Sequence, residues 1–228
     1  MRAAVRPENV HFPRPTLLSL ENTHNTAGGK VYPLEEFAAV AAVAREKMGL
    51  RVHLDGARLF NAQEATGIPA REWCEHADTV SVCSSKGLGA PVGSLLAGDE
   101  ETIREARRAR KAFGGGMRQA GVIAAASLYA FEHHTERLKE DHERAKKLAD
   151  GLREAGYAID PPETNIVLVE VERPEEFMHA LAQEGVLATP GKAGFARLCT
   201  HLDIGDEEIE AAVEAASRIT ADALGSWH

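Results

Sequence analysis

Apolar and polar positions along the first half of the chain predict strands separated by helices. Short apolar runs of strand length occupy residues 16–22, 50–55, 79–85 and 94–98. Helices are predicted between and after these strands, at residues 33–49, 69–77 and 99–111. The first helix is marked by Pro33 near its start, by acidic residues in its first turn and by Gly49 at its end. Because strands that alternate with helices are typical of a parallel, doubly wound sheet, we predict an α/β fold.

The pattern changes after a glycine-rich break at residues 113–119, and a long helical region is predicted from there to about residue 155. Beyond Gly156 the predicted elements are shorter: a strand at 164–172, a helix at 174–185, short strands at 186–191 and 195–201, and a helix at 205–220. The last helix repeats apolar residues at helical spacing, namely Ile209, Val213, Ala216 and Ile219. We expect a partial large domain at 1–140 and a small C-terminal α/β domain at 141–228.

Composition and charge narrow the class of protein. The chain of 228 residues has a formal net charge of −9, with acidic and basic residues mixed along it, which argues against nucleic acid or an anionic membrane as the main partner. Its longest apolar stretch, residues 120–131, is too short to span a bilayer, and its first residues contain no apolar signal core. Cys74, Cys83 and Cys199 show no metal-type or redox-type spacing. We therefore expect a cytoplasmic protein without a metal site.

Candidate chemistry lies at the ends of two predicted strands. One strand ends in Asp55, and the strand at 79–85 is followed directly by Lys86. Because ligands bind beyond the carboxyl ends of strands in an open parallel sheet, this carboxylate and this amine are expected to face one crevice. Such a pair suits pyridoxal 5′-phosphate (PLP), whose aldehyde reacts with a lysine and whose pyridine nitrogen pairs with a carboxylate. The alternative is a salt bridge between Asp55 and Lys86, or two solvated loop residues.

Four motifs carry a resemblance to a known family: "LENTHN" at 20–25, "HLDGARLFNA" at 53–62, "SSKGLGAPVGSLLAG" at 84–98 and "GGGMRQAGV" at 114–122. In this order, and over nearly the whole chain, they resemble the threonine aldolase family, in the β-eliminating lyase branch of the aspartate-aminotransferase-like PLP enzymes. The resemblance implies fold type I, that is, a partial, mostly parallel sheet with helices on both faces, together with a small C-terminal α/β domain.

By this resemblance, Lys86 is the residue that binds PLP as a Schiff base, and Asp55 is the partner of the pyridine nitrogen. Arg58 would lie beside the cofactor and the substrate carboxylate, and Arg197 resembles the small-domain arginine that binds the same carboxylate. A planar guanidinium suits that bidentate contact. The alternatives are a surface ion pair for Arg58 and a solvent-exposed edge-strand position for Arg197. His53 precedes Asp55 by two positions, so we expect it on the same strand face as a supporting residue.

Two histidines and two further basic residues complete the candidate site. The resemblance implies that His11 contacts the substrate β-hydroxyl, and His24 lies at a predicted strand end near the same crevice. Histidine accepts protons near neutral pH, so either residue suits the role of base, although a lone histidine is also a common structural hydrogen-bonding residue. Lys111 and Arg118 resemble residues that bring positive charge to a cofactor phosphate, partly across a subunit interface.

The resemblance is incomplete at the N-terminus. Threonine aldolases carry a further N-terminal portion, roughly a third of the polypeptide, which supplies a phosphate-binding loop and a histidine that stacks on the pyridine ring. Neither feature is found in this sequence, whose first residues resemble the interior of the family domain. Three alternatives stay open: a truncated or wrongly assigned reading frame, a chain that depends on a separate fragment, or a loss of catalysis.

The implied activity is that of a PLP-dependent lyase that cleaves a β-hydroxy-α-amino acid, such as L-threonine or L-allo-threonine, to glycine and an aldehyde. The implied partner is this small-molecule substrate, and the implied assembly is a homodimer or homotetramer. The alternative is a catalytically impaired remnant or scaffold of threonine aldolase type. Transferase or racemase chemistry on the same fold is a third alternative, less favoured because the aldolase-like motifs occur together.

Overall fold

The structure is a computed structural model that describes residues 9–219. The strands in this part of the chain are β1 (Leu17–Glu21), β2 (Arg51–Asp55), β3 (Thr79–Cys83), β4 (Ser94–Gly98), β5 (Ile166–Glu170), β6 (Thr189–Pro190) and β7 (Phe195–Cys199). The helices are α1 (Leu34–Met48), α2 (Leu59–Thr66), α3 (Ala70–Cys74), α4 (Glu100–Ala112), α5 (Gly121–His133), α6 (Leu138–Glu154), α7 (Pro174–Gln183) and α8 (Asp206–Arg218). The apolar pattern predicted these elements except α2, and it predicted α5 and α6 as one helical region.

The first sheet has the strand order β1-β2-β3-β4, with β1, β2 and β3 parallel and β4 antiparallel to β3. The register places Glu21 beside Asp55 and Asp55 beside Ser81, so the carboxyl ends of the parallel strands share one edge. β4 runs antiparallel because the connection from β3 is short and contains no crossover helix, which a parallel return requires. The predicted α/β fold with a mostly parallel sheet is therefore confirmed for the strands that carry Asp55 and precede Lys86.

One apolar core holds α1 and α3 against this sheet. α1 ends at Gly49, as predicted, with φ of 63°, a left-handed conformation that glycine adopts without strain. Phe37 from α1, Leu54 from β2 and Trp73 from α3 are completely buried in this core. The indole N–H of Trp73 donates a hydrogen bond to the backbone oxygen of Tyr32 at 3.0 Å, which satisfies the polar atom that its burial removes from water.

A second core forms around a smaller antiparallel sheet of order β5-β7-β6. Apolar residues of β5 and β7 pack there against α6, α7 and α8. Val169 of β5, Ala196 of β7, and Phe177 and Leu181 of α7 are completely buried in this core. Leu138, at the start of α6, belongs instead to a small cluster with Leu88, and the later turns of α6 lie in the second core. We refer to β1–β4 with α1–α5 as the large lobe, and to α6–α8 with β5–β7 as the small lobe.

The two lobes also meet at a loop of the large lobe that follows β1. The hydroxyl of Thr164 donates to the backbone oxygen of Gly29 at 2.7 Å, and the backbone N–H of Val31 donates to Glu163 at 2.8 Å. A side chain at position 29 has no room, because a Cβ there would lie 2.4 Å from the Thr164 hydroxyl. This loop therefore packs directly on the residues that lead into β5.

The helical region predicted from 118 to 155 is interrupted between His133 and Leu138. In this interruption His134 Nδ1 donates to the backbone oxygen of Leu88 at 2.6 Å. Arg137 reaches the neighbouring oxygen, that of Gly87. The break thus brings two side chains to the segment that directly follows Lys86.

The segment from 92 to 129, which we call the β4–α5 face, leaves many apolar side chains exposed. β4 is exposed along its whole length, α4 has no buried residue, and α5 buries only Ser127 and Ala130. The exposed large apolar residues of this face are Val92, Leu95, Leu96, Phe113, Met117, Val122, Leu128 and Tyr129. No helix within residues 9–219 is long and apolar enough to cross a membrane.

Candidate active site

Lys86 lies on a tight turn directly after β3. The turn is closed by two backbone hydrogen bonds, from Gly89 N–H to the oxygen of Lys86 at 2.8 Å and from Ala90 N–H to the oxygen of Ser84 at 2.9 Å. Gly89 has φ of 74°, which favours glycine at this position. The Lys86 side chain is exposed, and its amino group has no hydrogen bond or ion pair to any residue between 9 and 219.

A cleft of about 430 Å³ lies between the lobes at Lys86, and we call it the Lys86 cleft. Its large-lobe wall consists of Arg58, Ser85, Lys86, Gly87, Gly89, Ala90 and Pro91. Its small-lobe wall consists of Asn165, Cys199, His201, Leu202 and Asp203. The volume falls in the range of about 300–1,000 Å³ that is typical of small-molecule sites.

Asp55 lies at the end of β2, at the same edge of the sheet, and its carboxylate is held by a polar chain. Oδ1 accepts hydrogen bonds from Ala57 N–H at 3.2 Å and from the Ser81 hydroxyl at 3.5 Å. His53 lies on the same strand face: Nδ1 is 2.8 Å from the Thr79 hydroxyl and Nε2 is 3.4 Å from that of Ser81. Within the described residues Asp55 forms no ion pair with Lys86, so the salt-bridge alternative is not what the structure contains.

Arg58 lines the cleft from the large lobe, whereas Arg197 of the small lobe lies outside the lining residues, two positions before Cys199 of the cleft wall. Arg58 is the residue at the N-terminal cap of α2, and Arg197 lies in β7. Arg197 donates from Nε to the Thr189 hydroxyl at 3.0 Å and from Nη1 to the side-chain oxygen of Asn25, in the loop after β1. Burial raises the pKa of the Cys199 thiol, and the guanidinium groups of Arg58 and Arg197 act in the opposite direction. Both arginines therefore lie near one thiol in the cleft wall, where their charges favour an anion.

The two candidate histidines lie outside the residues that line the Lys86 cleft. His24 is exposed, its Nδ1 accepts a hydrogen bond from Ala27 N–H at 3.1 Å, and its Nε2 is 3.8 Å from a Glu21 carboxylate oxygen. His11 is exposed too, and its backbone N–H donates to the side chain of Asn9 at 2.9 Å. Both rings are thus accessible, and the structure brings neither into contact with Lys86.

Lys111 and Arg118 are likewise absent from the lining of the Lys86 cleft. Lys111 lies in the last turn of α4, and its side chain folds over Gly116, where a Cβ would be 2.7 Å from the Lys111 amino group. Arg118 is exposed in the loop before α5. Their position on the β4–α5 face leaves both side chains available to a ligand or chain outside the described residues.

The residues at the cleft fit one end of PLP. Lys86 offers an amine that has no partner among residues 9–219, and Asp55, outside the lining of the cleft, offers an oriented carboxylate at a neighbouring strand end. Arg58 and Arg197 offer two guanidinium groups that suit a substrate carboxylate. The fit is poorer for the phosphate, which needs several donors. Among the described residues that line the cleft, Arg58 is the one arginine and Lys86 the one lysine. The described residues thus match the ring and the substrate carboxylate better than the phosphate.

A buried polar cluster lies at the start of α6, and we call it the α6 junction. Asp141 is 0% exposed, and Arg137 binds it with 2.7 Å between Nη2 and Oδ1. The Thr200 hydroxyl donates to the backbone oxygen of Asp141 at 2.6 Å, and the Asn61 amide donates to His142 Nε2 at 3.1 Å. The sequence reasoning missed this cluster. One feature of the sequence indicates it: Asp141 follows Arg137 by four positions, on the otherwise apolar side of a predicted helix.

Two residues in the small-lobe wall were also missed. The Asn165 side chain donates to the backbone oxygen of Thr200 at 2.9 Å and lies 3.2 Å from the sulfur of Cys199. No local motif marks Asn165 or Cys199. They reach the cleft because β5 pairs with β7, a contact between distant parts of the chain.

Fold and site together define an α/β protein whose candidate ligand site lies at the carboxyl edge of a parallel sheet. The family model of the beta-eliminating lyases matches residues 1–174, and the chain belongs to this family. The low specificity L-threonine aldolase of Escherichia coli (strain K12) is 44% identical over 209 residues, which cover 90% of this chain and 60% of the relative. The chain spans about 60% of the length of the curated relatives it matches first.

Solved structures agree on the fold. A structure of Leishmania major threonine aldolase has a TM-score of 0.77 at 23% identity, and the match covers 92% of this chain and 63% of that one. A serine palmitoyltransferase variant from S. paucimobilis, solved with a bound PLP–myriocin aldimine, has a TM-score of 0.70 at 21% identity, covering 95% of this chain and 58% of that one. At these identities the likeness concerns the fold of the two lobes.

The α6 junction generates a prediction about pH. Burial, and to a smaller extent Lys146, lowers the pKa of His142 from 6.5 to about 4. Below pH 6.5 the unfolded chain binds a proton at this residue that the folded chain does not bind, so the free energy of unfolding falls as the pH drops from 6.5 to about 4. We expect His142→Gln to remove this component, which amounts to at most about 3 kcal/mol.

The measurement is urea unfolding, followed by circular dichroism, of the wild type and of His142→Gln at several pH values in this range. The difference between their free energies of unfolding at each pH isolates His142, because the titration of the carboxylates is common to both. His179→Gln is the matched control, since His179 is an exposed helical histidine that bonds only to its neighbour Gln183 in the described structure. Parallel pH profiles for the wild type and His142→Gln would contradict the prediction.

Proposed function

We propose that the chain acts as a PLP-dependent aldehyde-lyase, which cleaves β-hydroxy-α-amino acids such as L-threonine and L-allo-threonine to glycine and an aldehyde. The observation that carries this proposal is the Lys86 cleft, where the Lys86 amine, which has no partner among the described residues, and Arg58 share one wall, and Cys199, which lies near Arg197, is in the other. Membership of the beta-eliminating lyase family and the names of the relatives support it.

Residues in and beside the cleft would divide the work of this reaction. Lys86 would hold the cofactor through its amine, and Asp55, fixed by Ala57 N–H and Ser81, would pair with the pyridine nitrogen. Arg58 and Arg197 bind the substrate carboxylate and so orient the Cα–Cβ bond. When bound, PLP supplies an electron sink for the carbanion left at Cα by the loss of the aldehyde.

A base must take the proton of the β-hydroxyl, and Cα must take up a proton to give glycine. His24 is the preferred candidate because its loop is tied to the site: the next residue, Asn25, accepts a hydrogen bond from Arg197. Its Nδ1 accepts a hydrogen bond from Ala27 N–H, so the neutral ring carries its proton on Nε2; His24 would act as the base through Nδ1, once that hydrogen bond is released. His11 and the phosphate contacts of Lys111 and Arg118 are kept as parts of the same proposal.

A second candidate function is that of a catalytically impaired scaffold. The scarcity of basic residues in the cleft wall favours it, because a phosphate without several donors is weakly anchored. The two functions differ in one property: the scaffold binds no PLP at Lys86 at cofactor concentrations that saturate an enzyme.

The chain works in the cytoplasm, where its three cysteines stay free. It self-associates as a homodimer or homotetramer through the β4–α5 face. The exposed apolar residues of this face support the association, because monomeric proteins rarely expose so many on one segment. Sedimentation velocity over a concentration series tests it. Val122→Asp is expected to shift the chain to monomer, and Leu187→Asp, at an exposed small-lobe position, is the matched control. A wild type that is monomeric throughout would contradict this.

The activity is tested by the release of glycine and aldehyde from L-threonine, L-allo-threonine and related β-hydroxy amino acids in the presence of PLP. We expect Lys86→Arg to abolish release, because a guanidinium does not bind the aldehyde. Arg197→Lys is expected to raise KM by about tenfold or more, because an ammonium lacks the planar fork. Lys139→Arg, an exposed lysine of α6, is the matched control and should behave as the wild type.

The outcome that overturns the proposal is a folded wild type that releases no glycine with PLP present. Release that is equal in Lys86→Arg and in the wild type would overturn the role of the lysine. A racemised or transaminated product in place of glycine would assign other chemistry to the same fold.

A further inference from the structure

The backbone after Lys86 is bound at each of three successive carbonyl groups. The oxygen of Lys86 accepts from Gly89 N–H at 2.8 Å, that of Gly87 accepts from Arg137 Nη1 at 3.4 Å, and that of Leu88 accepts from His134 Nδ1 at 2.6 Å. Two of the three donors are side chains of the interruption between α5 and α6. The direction in which Lys86 leaves its turn therefore depends on residues about 50 positions away in sequence.

Gly87 packs against the same structure. A Cβ at this position would lie 2.8 Å from a methyl carbon of Leu138, and the Asp141 carboxylate would be 3.8 Å away. Leu88 and Leu138 are buried in one apolar cluster. The turn thus rests on the first residues of α6 through both packing and hydrogen bonds.

The arginine at this contact is itself held firmly. Arg137 is 13% exposed, and its two terminal nitrogens lie 2.7 Å and 3.3 Å from the two carboxylate oxygens of Asp141. This parallel two-bond geometry fixes the plane of the guanidinium. Nη1 is shared between Asp141 and the oxygen of Gly87, so the plane that Asp141 sets also determines where the Gly87 carbonyl can lie.

Within the small lobe, the backbone oxygen of Asp141 accepts a hydrogen bond from Thr200 at 2.6 Å, which connects the start of α6 to the end of β7. Thr200 directly follows Cys199 and lies three residues after Arg197. The segments that carry Lys86 and Arg197 are thus both connected to one buried residue, the first through the carboxylate of Asp141 and the second through its backbone oxygen.

We propose that Arg137, held by Asp141, is a positioning residue for Lys86: it fixes the turn after β3 so that the Lys86 amine faces the cleft in one orientation. This inference rests on the proposed function. Compared with apolar residues of the same size, a buried ion pair adds little to the free energy of unfolding. This ion pair matters because it fixes the position of the Arg137 guanidinium beside the Gly87 carbonyl. Site geometry matters because a displacement of about 1 Å is enough to cost roughly a hundredfold in rate.

Amide hydrogen exchange of the full chain, read by mass spectrometry on a peptide that covers residues 84–91, tests this without any cofactor. We expect exchange in that peptide to be faster by about tenfold in Arg137→Met, because the turn opens more often. Arg137→Lys, which keeps the charge beside Asp141 and loses the fork, should fall between Arg137→Met and the wild type. Arg144→Met is the matched control, since Arg144 is 20% exposed on the same helix and pairs with Glu140 and Asp206 away from the turn.

A second measurement is kinetic and applies once the wild type releases glycine. Arg137→Met is expected to lower kcat by about a hundredfold and to change KM little, because Arg58 and Arg197, not Lys86, bind the substrate carboxylate. A general loss of stability would instead lower the amount of active protein and the urea midpoint, and it would speed exchange in peptides of both lobes rather than in residues 84–91 alone.

Exchange in residues 84–91 that is unchanged in Arg137→Met, or equally fast in Arg144→Met, overturns the proposal. If Arg137→Met does not fold, Arg137→Lys decides: exchange equal to that of the wild type overturns the proposal, and faster exchange confined to this peptide supports it. If the wild type proves inactive, the proposed function fails while the exchange result still decides the role of Arg137 in the turn.

Discussion

Asp141 is completely buried at the start of α6, and Arg137 neutralises its carboxylate there. Removal of Arg137 would leave an uncompensated carboxylate in the interior, at a cost of about 3–5 kcal/mol. The lobe arrangement depends on this contact, because the same residue accepts a hydrogen bond from Thr200 of the small lobe and its partner binds the carbonyl of Gly87 in the large lobe. Beside it, Asn61 of α2 binds His142, which burial keeps neutral.

The Lys86 cleft follows from this junction and from the register of the first sheet. Parallel pairing of β2 with β3 brings Asp55 beside Ser81, five residues before Lys86. Pairing of β7 with β5 brings Cys199 and Asn165 to the opposite wall, and Arg197 lies two residues before Cys199 on the same strand. The Lys86 amine and the Asp55 carboxylate therefore belong to the large lobe, and Arg197 belongs to the small lobe. A small change at the α6 junction changes the positions of these groups relative to one another.

The sequence predicted what depends on local pattern and motif. The strands that end at Asp55 and precede Lys86 are recognised from short apolar runs, and the end of α1 is recognised from Gly49. The resemblance to threonine aldolases, drawn from four motifs, agrees with the family found. The roles assigned to Lys86, Asp55, Arg58 and Arg197 stay predictions.

The sequence did not predict what depends on contacts between distant segments. The interruption between α5 and α6 contains no proline that would predict it. It is explained by the hydrogen bonds of His134 and Arg137 to the backbone oxygens of Leu88 and Gly87, about 50 residues earlier in the chain. Asn165 and Cys199 enter the cleft through strand pairing that no local pattern encodes. The apolar pattern does not predict α2, because a helix of 8 residues is too short to show a clear helical repeat and its first turn overlaps the motif that contains Asp55.

The central claim is that Lys86 is the residue at which this chain holds PLP. The most direct measurement is borohydride reduction of the purified chain with PLP, followed by peptide mass spectrometry of all its lysines. We expect a stable adduct on the peptide that contains Lys86, and little on exposed lysines such as Lys47 and Lys139. An adduct spread over the surface lysines, or none at all on a folded chain, would contradict it.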